Sequence, residues 1–126
     1  MIHIFIRDLK NCKEFSAGDN TRLRELFNPL KDNLNLRYSL AHATVKPGKT
    51  TYKHSLKTSE VYYILKGSGI MHINEESEEV QEGQAIYIPP NTIQCIKNTG
   101  NIDLVFICIV DPAWKKEDEE ILKEQL

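Results

Sequence analysis

An imidazole, a carboxylate and an amide stand where one folded sheet could gather them: His54, Glu60 and Gln94. Nitrogen and oxygen donors of these kinds, converging in a narrow and partly dry cavity, can hold a divalent ion with open coordination positions. The blander reading is a buried His–Glu hydrogen bond that fills the cavity, with Gln94 bonding a substrate or the backbone through its amide. Side chains two apart on a strand share a face. Tyr52, His54 and Leu56 therefore point one way, and Glu60 and Tyr62 join them if the intervening turn keeps phase. Gln94 lies on another strand, so the sheet must close on itself to bring it near His54.

Tyr62 and His42 are the side chains available as a general base. His42 shares a strand side with Leu40 and Thr44 and reaches the cavity only if that side turns inward; otherwise it is a core or surface histidine. Tyr52 could offer its hydroxyl to the site. Cys95 is adjacent to Gln94 and, on an unbroken strand, points the other way. Arg24 and Lys53 could neutralise an acidic substrate at the barrel mouth, or simply be solvated.

The elements that must position these groups are short and separated by turn residues. Thr21 to Phe27 reads as a strand or a helical turn, and Arg37 to Val45 as a strand ending at Pro47-Gly48. Glu60 to Lys66 is rich in β-branched and aromatic residues and stops at Gly67. Ile70 to Ile73, a polar hairpin around residues 74–77, Ala85 to Ile88, Ile93 to Lys97 and the apolar run Leu104 to Val110 follow. Such spacing predicts an all-β sandwich or barrel. Asp111-Pro112 can cap a helix over 112–126, with Trp114, Ile121, Leu122 and Leu126 as its packing stripe. The Lys115 to Glu120 run reads as the solvated face of that helix. Met1 to Ile6 alternates as an apolar strand.

The 126 residues fit one domain, read as an arm over 1–36, a barrel core over 37–110 and the terminal helix. A net charge of -2 argues against a nucleic-acid partner, and no apolar stretch is long enough to cross a bilayer. Three cysteines without zinc-type spacing fit free thiols in a reducing cytoplasm.

Two segments carry a family resemblance. Gly48-Lys-Thr-Thr-Tyr-Lys-His54-Ser-Leu56-Lys-Thr-Ser-Glu60, continuing to Gly67, resembles the first cupin motif. Gly83-Gln-Ala-Ile-Tyr-Ile-Pro89-Pro-Asn91-Thr-Ile-Gln94-Cys-Ile-Lys-Asn98 resembles the second. Any one anchor is weak, but Gly48, His54, Glu60, Gly67, Gly83, Pro89 and Asn98 agree jointly in spacing. The resemblance implies a double-stranded β-helix, the jelly-roll barrel of cupins. It also implies a divalent metal ion, Mn, Fe, Ni or Zn, at the positions held here by His54, Leu56, Glu60 and Gln94. Leucine cannot ligate, and a glutamine oxygen is a weaker donor than imidazole. The expected set is therefore His54, Glu60 and Gln94. Asn91 replaces a turn glycine, a mild change because Asn tolerates positive φ.

The function so implied is a small-molecule-binding cupin. It is read as a metal-dependent isomerase, epimerase or lyase on a small polar, sugar-like or carbonyl substrate, with oxygen chemistry the less favoured branch. The alternative is a non-catalytic binding or sensing module with a degenerate metal site. Small cupins resemble one another in forming homodimers, and the Met1–Ile6 edge would join the neighbouring sheet.

Overall fold

The computed structural model describes residues 3–122. The described residues form eleven strands, with clear alternation of buried and more exposed positions along Ser39–Val45 and Leu104–Asp111. The strands are β1 (Phe15–Ser16), β2 (Arg22–Phe27), β3 (Ser39–Val45), β4 (His54–Leu56), β5 (Ser59–Lys66) and β6 (Ser68–Ile73). β7 (Glu76–Gln81), β8 (Ala85–Ile88), β9 (Gln94–Asn98), β10 (Leu104–Asp111) and β11 (Glu119–Ile121) complete the set. A six-stranded sheet runs β1-β2-β3-β10-β5-β8, and a five-stranded sheet runs β11-β4-β9-β6-β7. Every pairing is antiparallel.

The core sits between the sheets. Period-two alternation buries Ala41, Ala43 and Val45 of β3 and Leu104, Phe106, Cys108 and Val110 of β10. Ala43 stands opposite Phe106, which stands opposite Ile64 of β5, so one small residue leaves room for the ring across the ladder. Ile88 of β8 adds to this side, and Met71, Val80 and Ile96 of the five-stranded sheet close the cluster from the other. The motif anchors are explained by backbone geometry. Gly67 has φ +89°, and a Cβ there would sit 2.7 Å from the Asp103 carbonyl oxygen. Asn91 occupies the turn position at φ 63°. Asn98 is fully buried and its amide nitrogen donates to the carbonyls of Val45 and Ile102 at 2.9 and 2.8 Å.

Two expectations are corrected. The terminal helix does not form over the described part of 112–126. A 3-10 turn over Lys116–Asp118 leads instead into β11, which adds to the edge of β4. Tertiary hydrogen bonds override the helical propensity of the charged run: Asn28 Nδ2 donates to the Trp114 carbonyl at 3.1 Å, Lys57 N to Asp118 and Leu122 N to Lys53. Leu126 lies outside the described residues. At the other end, Met1 and Ile2 also lie outside, and residues 3–8 form no strand. Phe5 packs edge-on against Phe27 at 5.7 Å, and Arg7 forks onto Asp32, while Ile4 and Ile6 remain exposed. β2 pairs with β3, so the sheet takes in residues upstream of the expected 37–110 core. Among the described residues no helix is long and apolar enough to cross a membrane.

Candidate functional site

His54 opens β4 and Gln94 opens β9, and the two stand directly opposite, so their side chains share a face. Glu60 and Tyr62 alternate inward along β5. Barrel closure therefore brings His54, Glu60, Tyr62 and Gln94 into one buried region, as the strand arithmetic requires. A cavity of about 240 Å³ opens beside them, with Leu56, Ala41, Phe106, Val110 and Trp114 as its apolar walls.

Gln94 is held at both ends. The Tyr62 hydroxyl donates to Gln94 Oε1 at 3.1 Å, and Gln94 Nε2 donates to Glu60 Oε1 at 3.0 Å. Burial pushes the Glu60 carboxyl up to about 8, the Gln94 hydrogen bond pulls against this, and the charges of Asp19 and Glu119 add to the rise. Glu60 is thus a protonated carboxylic acid across most of the neutral range. Burial first, and Glu60 next, hold the Tyr62 hydroxyl well above its ordinary range, so it stays a neutral donor.

His54 Nδ1 lies 3.2 Å from the Tyr52 carbonyl oxygen. A carbonyl can only accept, so in the neutral ring Nδ1 carries the hydrogen and Nε2 the lone pair. Nε2 looks toward Asp19 Oδ2 at 3.7 Å and Glu119 Oε2 at 3.8 Å. Asp19 is itself fixed: its Oδ1 accepts from the Thr21 amide at 3.1 Å and the Thr21 hydroxyl at 2.6 Å. The Glu119 carboxyl is raised by burial, lowered by His54 and raised again by Asp19.

The expected base pair fails on position and chemistry. His42 alternates outward on β3, opposite Ile107 and Arg24, and does not line the cavity. Tyr62 is in place but spends its proton on Gln94 and resists ionisation, so it positions rather than abstracts. Tyr52 contributes its backbone carbonyl, and Leu56 lines the cavity as an apolar wall.

A profile described as "Cupin domain" matches residues 41–110, more than half of the chain. The chain is a cupin. It is 41% identical over 114 residues to an uncharacterised protein of Methanocaldococcus jannaschii, covering 88% of this chain and 89% of that one. It is 31% identical over 71 residues to an oxalate-binding protein of Thermotoga maritima, covering 56% of this chain and 59% of that protein. Among solved structures, a nucleoside dehydratase of Streptomyces superposes with a TM-score of 0.77 at 17% identity, covering 95% and 92% of the two chains. That likeness shows the barrel alone.

The donor set that the cupin motif implies does not fit a divalent ion here. Leu56 offers no lone pair, and both polar atoms of Gln94 are engaged by Tyr62 and Glu60. Among the described residues no three His, Cys, Asp or Glu side chains converge as a metal-holding group. The barrel instead gathers two acids that the motif does not contain. Asp19 comes from the turn before β2, where Gly18-Asp19-Asn20 reads only as a turn. Glu119 sits in the charge run that reads as a solvated helix face. No local spacing points to either one, because both reach His54 only through chain closure.

Proposed function

We propose that this cupin binds a small polar molecule bearing a carbonyl or hydroxyl in the His54 cavity and moves a proton on it. The observation that carries this is the pairing of Glu60, an enclosed carboxyl raised to about 8, with an imidazole whose Nε2 faces the same cavity. A carboxyl kept protonated by burial can donate a proton, and an imidazole nitrogen facing the same cavity can accept one. Glu60 donates through Oε2, because Oε1 is already accepting from Gln94. His54 Nε2 accepts, with Nδ1 anchored on the Tyr52 carbonyl. Tyr62 and Gln94 hold the acid in register.

Such a pair suits enolisation, isomerisation or elimination of a hydroxyl, reactions that begin with removal of a proton next to an activated group. The test is deuterium wash-in: a panel of aldoses, ketoses and α-hydroxy ketones is held with the protein in D2O and followed by proton NMR. Exchange of a carbon-bound hydrogen that is lost in both Glu60→Gln and His54→Ala supports the reading. Absence of exchange across the panel, with binding intact, reduces the protein to a binding module. A cytoplasmic homodimer without nucleic-acid or membrane partners completes the proposal, in keeping with three free cysteines and a charge of -2.

A further inference from the structure

We infer that the carbonyl or hydroxyl compound this cavity takes also carries an ammonium group, held between Asp19 and Glu119. The inference rests on the ligand-cavity reading above and names the chemical class that the cavity selects.

The first support is the balance of groups facing the cavity. Asp19 Oδ2 and Glu119 Oε2 both turn toward one point beside His54 Nε2, at 3.7 and 3.8 Å from it. Among the described residues no Lys or Arg lies within 4.0 Å of either acid. Lys31 also borders the cavity but is already paired with Glu25 at 2.8 Å. Thr21 satisfies Asp19 Oδ1 and leaves Oδ2 for the cavity. His54 Nε2 has no hydrogen-bond partner among the described residues although the side chain is only 3% exposed. Glu60, Tyr62 and Cys108 complete the titratable lining, and none of them supplies positive charge.

Asp19 and Glu119 thus share one imidazole, and Glu60 lines the same cavity. Burial is the first cause of the upward displacement of Glu60 and Glu119, and repulsion from Asp19 adds to it in both cases. A bound cation would relieve that repulsion in a region shielded from water, where charge interactions are strong. An anion would add to it.

The second support is the aromatic part of the cavity lining. Phe15, Tyr62, Phe106 and Trp114 all border the cavity. Aromatic faces attract an ammonium and accept an apolar body equally well. A volume of about 240 Å³ admits a ring or short chain and little more. Oxalate, for which the Thermotoga maritima relative is named, is a dianion, and these residues predict that this chain rejects it.

Three probes of one shape and different charge test this: benzylamine, benzyl alcohol and benzoate, titrated calorimetrically into the full chain at neutral pH. Benzylamine is expected to bind about tenfold or more tighter than benzyl alcohol, with benzoate weakest. Repeating the titration in phosphate and in MOPS is expected to show proton release, because a cation between Asp19 and Glu119 favours the ionised form of Glu119. Asp19→Asn keeps the Oδ1 acceptor for Thr21, and Glu119→Gln is nearly isosteric; each should remove most of the amine preference while benzyl alcohol still binds. Benzoate binding as well as benzylamine overturns the charge assignment and leaves the ligand cavity standing. A divalent metal that displaces benzylamine and depends on Asp19 also overturns it, since the occupant is then a metal ion. No binding of any probe overturns the cavity reading and this inference together.

Discussion

Glu60 is enclosed on all sides with a single amide donor on Oε1, and that surrounding controls both its chemistry and its effect on stability. Its folded value of about 8 lies above the 4.5 of a free glutamate, so between those values the folded chain holds a proton that the unfolded chain has released. Stability contributed by this proton is present in full below pH 4.5 and is lost as the pH rises to 8. The loss is on the order of a few kcal/mol. Urea denaturation at a series of pH values should therefore show falling stability across that window, and Glu60→Gln, which still accepts from Gln94, should flatten the curve. Gln94→Leu removes both hydrogen bonds at once. It should cost ~2–4 kcal/mol in urea and push Glu60 higher still, because the Gln94 hydrogen bond lowers it. At this scale the sequence was informative about position: strand alternation placed His54, Glu60, Tyr62 and Gln94 together. It could not tell whether Gln94 faces a metal or a neighbour, since that depends on which donors stand within 3 Å.

The strands themselves were legible where turn residues bracket apolar runs. Ala85–Ile88 and the run from Leu104 match observed elements, and β5 begins one residue before the expected Glu60. β7 was obscured by its composition, with three glutamates among six residues, because an edge strand leaves most of its side chains in water. β11 was hidden for a related reason: its order comes from β4 and from backbone donors far away in sequence. The motif residues also divide into two kinds once the elements are in place. Asn98 ties β9 to the end of β3 and to the loop before β10: its amide donates to the Val45 and Ile102 carbonyls, and its oxygen accepts from Gly100 N. Asn98→Ala should cost about 3 kcal/mol, read by chemical denaturation. Asn91→Gly, at φ 63°, should change stability by less than about 0.5 kcal/mol, because glycine adopts that conformation without strain. Asn98 matches the motif and Asn91 departs from it, and of the two only Asn98 holds elements together.

At the scale of the whole molecule, closure of two sheets creates the site: Asp19 from one end of the chain and Glu119 from the other meet over His54, and neither is readable without the barrel. The outer face of the larger sheet leaves Tyr63, Leu65 and Tyr87 partly in water, and the 3–6 segment leaves Ile4 and Ile6 exposed. Pairing of two copies would cover such surface. Light scattering should give twice the chain mass of 14.5 kDa, and a mass at 14.5 kDa would reject the dimer. The claim on which the functional account turns is that Glu60 keeps its proton at neutral pH beside His54. Carbon-13 NMR of the Glu60 side-chain carboxyl, followed from pH 3 to 10 and assigned with Glu60→Gln, measures this directly. A midpoint near 8 is the predicted result; a midpoint near 4.5 would leave the cavity without its acid and contradict the account.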